Sequence, residues 1–255
     1  MTDQIKVDKA DGILTLILAR PDKKNALSDA MYKALADELE ASEQDAAVRA
    51  IVIRAEGDMF TAGNDLGEFA AANAGGSGPR NVGRFIKAIS VASKPIVAAV
   101  QGRAVGVGTT MLLHCDQVVL AEDAQLTTPF VGLALVPEAS SSLLLPARIG
   151  HARAFSMFAL GEAVSAQDAV AWGIANKVVA LNELAETALA IAKRLVKQPI
   201  GSLIATKKLM RNAEAIGRHM DIESAEFGAR LRQPEAHEAF KAFAERRAPN
   251  FTQFN

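Results

Sequence analysis

Hydrophobic positions along the chain fall into two kinds of pattern. Ile13 to Leu18 is a nearly continuous run of leucine and β-branched residues after Asp11-Gly12, which predicts a buried strand entered from a turn and ended at Arg20-Pro21. Past Ser28, the residues Met31, Leu35 and Leu39 recur every four positions while Asp37, Glu38 and Glu40 fall outside their stripe. That spacing predicts a helix capped by Ser28 and laid on a sheet. Ile51 to Ile53, Ile96 to Val100 and Val118 to Leu120 read as further buried strands, whereas Met1 to Lys9 is polar and no strand is read there. The Gly- and Ser-rich stretch Asn73 to Pro79 predicts a flexible loop before a helix from about Arg80 to Ala92. Gly102, Gly106 and Gly108 predict a tight turn that opens a helix through Met111-Leu112-Leu113.

Up to about Val179 strands alternate with helices, the pattern of a mostly parallel sheet with repeated crossovers. Beyond it the pattern is helical only. Leu184, Ala188, Ile191 and Leu195 mark one helix, Pro199 starts another, and Met220 to Phe243 continues helically. The chain therefore divides into an α/β core over residues 1–190 and a helical region over 191–255, whose apolar stripe must be buried against the core or a neighbouring subunit.

Composition narrows the classes without naming one. Half of the 255 residues are hydrophobic and 22% are charged, ordinary for a globular chain, and the net charge of −1 supplies no global field for nucleic acid or anionic lipid. No apolar run approaches the roughly 18–20 residues of a membrane span. Cys115 is the single cysteine, so no intrachain disulfide or cysteine metal cluster can form. Met1 to Lys9 lacks the pattern of a signal peptide and Gln253-Phe254-Asn255 is no peroxisomal address, so a cytoplasmic location is expected.

Two glycine-bearing turns, Ala62-Gly63-Asn64 and Gly106-Val107-Gly108, each follow a strand and precede a helical pattern. Glycine lets backbone approach a ligand closely and leaves N–H groups free at a helix start, although the same glycines also suit plain tight turns. GRAVGVG lacks the Lys-Ser/Thr end of a phosphate-binding loop and misfits the dinucleotide spacing.

The ordered series RPDKKNALS (Arg20 to Ser28), FTAGNDL (Phe60 to Leu66), KPIVAAVQGRAVGVG (Lys94 to Gly108), CDQVVLAEDAQLTTPFVGLALVPE (Cys115 to Glu138), ARIG (Ala147 to Gly150) and GEAVSAQDAVAWGIANKVV (Gly161 to Val179) resembles the enoyl-CoA hydratase/isomerase (crotonase) superfamily. The resemblance implies an α/β fold built as a spiral of ββα units, a helical C-terminal region that mediates assembly into a homotrimer or a dimer of trimers, and an acyl-CoA thioester as substrate. It implies no separate cofactor, since coenzyme A is part of the substrate, and no metal. Carried over by position, an oxyanion hole would use the backbone N–H groups of Asn64 and Val107.

Hydratases of the superfamily carry two glutamates at positions that here read Thr110 and Phe130. A third family position is Glu138, in a segment where Thr128-Pro129-Phe130, Pro137-Glu138 and Ser141-Ser142 resemble the monofunctional Δ3,Δ2-enoyl-CoA isomerases of the peroxisomal type. The resemblance thus implies that one base, Glu138, moves a proton from C2 to C4 of a 3-enoyl-CoA in fatty-acid β-oxidation, with Phe130, Leu133, Leu135 and Val136 as apolar walls. Without it, Glu138 reads as a solvated carboxylate at a helix start. Other implied outcomes are hydration, a double-bond or ring isomerisation of aromatic-acid catabolism, or acyl-CoA binding without turnover. Coenzyme A would be held by Lys23, Lys24, Ala26 and Leu27 and by Ala62, Gly63, Asp65 and Leu66. Lys241, Arg246 and Arg247 would reach its phosphates. His114 and Cys115 read as packing or capping groups, and Ser140 to Ser142 have no paired histidine base in the sequence.

Overall fold

β1 (Ile5–Ala10) and β2 (Ile13–Leu18) form an antiparallel hairpin in the computed structural model, which describes residues 2–65, 67–68 and 81–254. Its turn, Asp11-Gly12, has φ of 53° and 79°, the paired positive values that match the twist of a two-residue hairpin. The hairpin corrects the reading of the N-terminus. Only Ile5 of β1 is buried, so the strand has no apolar run to betray it, and Lys6, Asp8 and Lys9 make it a charged sheet edge. The loop expected at 73–79 and the site residue Leu66 lie outside the described residues.

From β2 the sheet grows in parallel through β3 (Ala50–Ala55) and β4 (Ile96–Val100). β5 (Arg103–Val105) leaves it, β6 (Gln117–Ala121) rejoins beside β4, β7 (Gln125–Thr127) and β8 (Val164–Ser165) leave again, and β9 (Lys177–Val179) closes the far edge. The six-stranded order is β1-β2-β3-β4-β6-β9, and the strands that leave form a small sheet in the order β5-β7-β8. The apolar runs are continuous because both faces of the large sheet are covered. Ile51, Ile96, Ala98 and Val118 turn to one face, and Val52, Val97, Ala99 and Val119 to the other.

The first face receives α1 (Asp29–Gln44), whose start Ser28 caps by accepting the Met31 N–H at 3.3 Å, and α2 (Asn81–Val91), packed on α1. Short helices follow: α3 (Val107–Thr110), α4 (Ser141–Ile149), α5 (His151–Phe155) running into a π-helical turn at Ser156–Leu160, and α6 (Ala166–Ala171). α3 ends sooner than expected, because Met111–His114 tightens into a 3-10 turn. The second face is covered by α7 (Leu184–Val196) through Leu184, Ala188 and Ala192. The boundary expected at 190 therefore falls inside a helix that packs with the sheet.

α8 (Ile200–Met210) follows Pro199, and α9 (Ala213–Leu231) and α10 (Pro234–Ala244) replace the single run expected from Met220 to Phe243. Pro234 enforces the break, since it cannot donate to a preceding turn. α9 packs on α2 and α4, which folds the C-terminal region back onto the body. Among the described residues no helix is long and apolar enough to cross a membrane.

Candidate active site

The two glycine turns meet side by side. Thr61 forms a parallel bridge with Ala104 of β5, its N–H donating to Arg103 O and its carbonyl accepting from Val105 N–H, both at 3.1 Å. So tight a junction leaves no room for side chains. Gly63 has φ +87°, and a Cβ there would stand 2.8 Å from Val105 O; a Cβ on Gly108 would run into Thr61 Cγ2. Val107 is the first residue of α3, where a helix has no internal acceptor for its N–H. Among the described residues neither the Asn64 nor the Val107 N–H donates to a protein acceptor.

Glu138 sits beyond a 3-10 turn at Val131–Leu133, three residues before α4, and its Oε1 accepts the Thr110 hydroxyl at 2.5 Å. Thr110 lies three residues past Val107 on α3, about 4.5 Å along the axis at 1.5 Å per residue. The carboxyl is thereby tied to the short helix that Val107 opens. It is partly buried rather than solvated, with Phe130 and Leu135 buried in the same segment. Burial pushes its pKa up to about 7, against the Thr110 hydrogen bond that pulls it down, and the negative charge of Glu223 adds to the rise. A carboxyl titrating near neutrality serves as a proton acceptor and donor. Thr110→Val should move the acid limb of activity to higher pH, because it removes a donor that favours the carboxylate; a limb at lower pH or unmoved in the rate profile contradicts this.

Tyr32 of α1 completes the group. Its hydroxyl donates to Asn64 Oδ1, and burial, then the charges of Glu138 and Glu68, raise its pKa well above the usual value, so the phenol stays protonated. Neither Tyr32 nor the Thr110 contact is visible in the sequence. Tyr32 lies beside the apolar stripe of α1, where an aromatic residue reads as core, and Thr110 reads only as the absence of a carboxylate.

The segments expected to hold coenzyme A are brought together. Lys24 O accepts from Ala62 N–H at 2.9 Å, Leu27 N–H donates to Gly63 O at 2.8 Å, and Asp65 N–H returns to Leu27 O at 3.0 Å. Ala26 is half-buried, and Lys23 and Lys24 are exposed beside them. Asn25, fully buried, holds the loop by accepting from Arg20 N–H and donating to Glu56 O and Met59 O, each at 2.8 Å.

Several expected ligands are otherwise engaged. Asp65 pairs with Arg20 at 2.7 Å; burial pushes its carboxyl up, but that contact and the backbone N–H groups of Gly67 and Glu68 together hold it below the usual range. Its charge is spent inside the loop. Lys241 is exposed on α10, and no hydrogen bond or ion pair among the described residues ties it to the 23–27 loop. Arg247 forms ion pairs with Glu238 and Glu245, both at 2.6 Å.

The serine expectation also changes, because His219 of α9 reaches Ser142 across 77 positions, with Nε2 2.8 Å from Oγ. The pair is no nucleophile and base. The single Ser142 hydroxyl proton goes to Glu223 Oε1 at 2.5 Å, so the imidazole meets the oxygen as a donor. His114 is a packing group as expected, its pKa pushed down to about 3 by burial and the Arg211 charge. Arg211 donates to its Nδ1 at 2.7 Å, which leaves Nε2–H to donate to Ala139 O at 2.8 Å.

Comparison with known proteins agrees with this architecture. Residues 8–254 match the family described as enoyl-CoA hydratase/isomerase. The chain is 33% identical over 252 residues to the 1,2-epoxyphenylacetyl-CoA isomerase of Escherichia coli (strain K12), covering 94% of this chain and 95% of that one. It is 30% identical over 254 residues to the 2,3-dehydroadipyl-CoA hydratase of the same organism, covering 97% and 98%. The crystal structure of an enoyl-CoA hydratase/isomerase from Pseudoalteromonas atlantica T6c superimposes with a TM-score of 0.92 at 41% identity, covering 98% of this chain and 100% of that one. The α/β body with its helical C-terminal region is thus the crotonase fold, and the chain belongs to the enoyl-CoA hydratase/isomerase family.

Proposed function

We propose that the protein shifts the double bond of a 3-enoyl-CoA to the 2-position, in fatty-acid β-oxidation. Glu138 takes a proton from C2, the electron pair moves onto the thioester oxygen, and the N–H groups of Asn64 and Val107 hold the resulting enolate. The same carboxyl then returns the proton at C4, leaving the conjugated product. Two preorganised donors in a water-poor site carry much of the barrier reduction, since removing one such donor typically costs about 10²–10³ in rate. Coenzyme A belongs to the substrate, and its binding falls to the loop of Lys23, Lys24, Ala26 and Leu27 against Ala62 and Gly63.

The observation that carries the reading is the Glu138 carboxyl, tethered by Thr110 to the helix that presents Val107. Hydration needs a second group to activate water, and the two positions that would supply carboxylates hold Thr110, occupied with Glu138, and Phe130, packed on Phe158 with ring centroids 6.1 Å apart. A cytoplasmic homotrimer belongs to the same reading, for which exposed Leu209, Met210 and Ile222 on the C-terminal helices offer apolar surface.

Purified protein given 3-hexenoyl-CoA should generate the absorbance of a conjugated enoyl thioester. Hydration of 2-hexenoyl-CoA at a comparable rate would replace this reading with the hydratase one. A second reading, isomerisation in aromatic-acid catabolism, is favoured by the E. coli isomerase relative. It predicts turnover of a ring-bearing CoA thioester and none of the aliphatic one.

A further inference from the structure

We propose that Glu223 is a positioning residue for Glu138, clamping from the C-terminal helix α9 the turn that carries the acid. Directly after Glu138, Ala139 and Ser140 have φ of 60° and 56°. Two successive residues with side chains in the left-handed region persist only where their surroundings hold them. Glu223 Oε2 accepts the Ser140 N–H at 2.5 Å, and Oε1 accepts the Ser142 N–H at 2.9 Å and the Ser142 hydroxyl at 2.5 Å. Ser140 Oγ donates to Ile216 O, also on α9, at 2.6 Å, and His114 donates to Ala139 O from below.

A carboxylate suits this position better than any neutral side chain. Three donors converge on its two oxygens, whereas an amide would offer one oxygen and set an N–H against an N–H. Glu223 is buried, 5% exposed, and among the described residues its one potentially cationic partner is His219 at 3.6 Å. A buried charge so little compensated is costly unless hydrogen-bonded, as this one is. Its charge also faces Glu138 and raises the pKa there. Among the described residues the other groups facing Glu138 are the Thr110 hydroxyl of α3 and the protonated Tyr32 of α1. His114, under the turn, is neutral.

The proposal rests on Glu138 being the base, and the experiment separates the two. In Glu223→Gln, kcat should fall roughly tenfold to a hundredfold, the cost of a small misplacement of a reacting group, with KM nearly unchanged. The acid limb of the rate profile should move to lower pH, because a repelling charge has gone, opposite in sign to Thr110→Val. The titration of the Glu138 carboxyl is followed without substrate by infrared difference spectroscopy, assigned by its loss in Glu138→Gln. It should move in the same direction, and the movement should persist in a His219→Gln background. A lowered carboxyl titration in Glu223→Gln, with the native protein inactive on 3-enoyl-CoA, would uphold the clamp and refute the proposed reaction. A folded Glu223→Gln protein with unmoved titration, or a movement abolished by His219→Gln, would overturn the clamp. Should Glu223→Gln fail to fold, Ser140→Ala decides: it keeps the carboxylate and cuts one tie to α9, so kcat should fall with the limb unmoved, and an unimpaired enzyme would overturn the proposal.

Discussion

Glu138→Gln is expected to cut turnover of a 3-enoyl-CoA by about 10²–10⁴-fold, the range carried by a positioned general base, with thioester binding nearly unchanged. The same variant should be more stable than the native protein at alkaline pH. The Glu138 pKa is raised from 4.5 to about 7, so between those values the folded chain holds a proton that the unfolded chain has released. Stability is lost as pH rises through that window and stays lower above it, by about 3 kcal/mol at about 1.4 kcal/mol per unit. Glutamine carries no charge to desolvate and still offers an oxygen to Thr110. Urea unfolding at pH 8 should therefore show a gain of about 1–3 kcal/mol, and at pH 4 almost none. Full turnover would remove Glu138 from the mechanism; equal stability at pH 8 would show that its carboxyl is not held up by burial.

Gly63→Ala should damage both fold and rate. Alanine at φ +87° costs about 1–2 kcal/mol, and a Cβ at 2.8 Å from Val105 O forces the two turns apart at a further cost of about 1–3 kcal/mol. The next residue is Asn64, so the separation displaces an amide on which the proposed mechanism relies. Loss of about 10²–10³ in kcat should accompany a stability loss of about 2–5 kcal/mol. Gly132→Ala, where an added Cβ meets nothing within 4 Å, is the matched control and should change neither. A Gly63→Ala enzyme with native kcat would disconnect the turn from the chemistry.

The elements legible in the sequence are those whose burial is written in side chains. β2 and β4 are legible from end to end because both faces of the sheet are covered and every residue of the run is apolar or nearly so. α7 was legible through Leu184 and Ala188 for the same reason. β1 was not, since one buried residue in six leaves only backbone pairing to define it. β5, β7 and β8 span two or three residues each, too few for a period to emerge.

At the candidate site, ordered motifs point to Asn64, Val107 and Glu138 and to the loop from Lys23 to Leu27. Their supports were invisible because each joins distant positions: Tyr32 with Asn64, Thr110 with Glu138, and Glu223 with Ser140 and Ser142. Asp65 shows the converse limit, as a residue that matches a ligand motif yet has its charge satisfied by Arg20.

A chain growing from the ribosome makes Ser140 well before Glu223, 83 positions later. Until α9 has emerged and docked, the left-handed pair Ala139-Ser140 lacks the contacts that sustain it, and the acid beside it has no fixed address. Nascent protein stalled short of α9 would accordingly carry both glycine turns and every residue of the proposed reaction centre, yet remain idle if the proposed clamp holds.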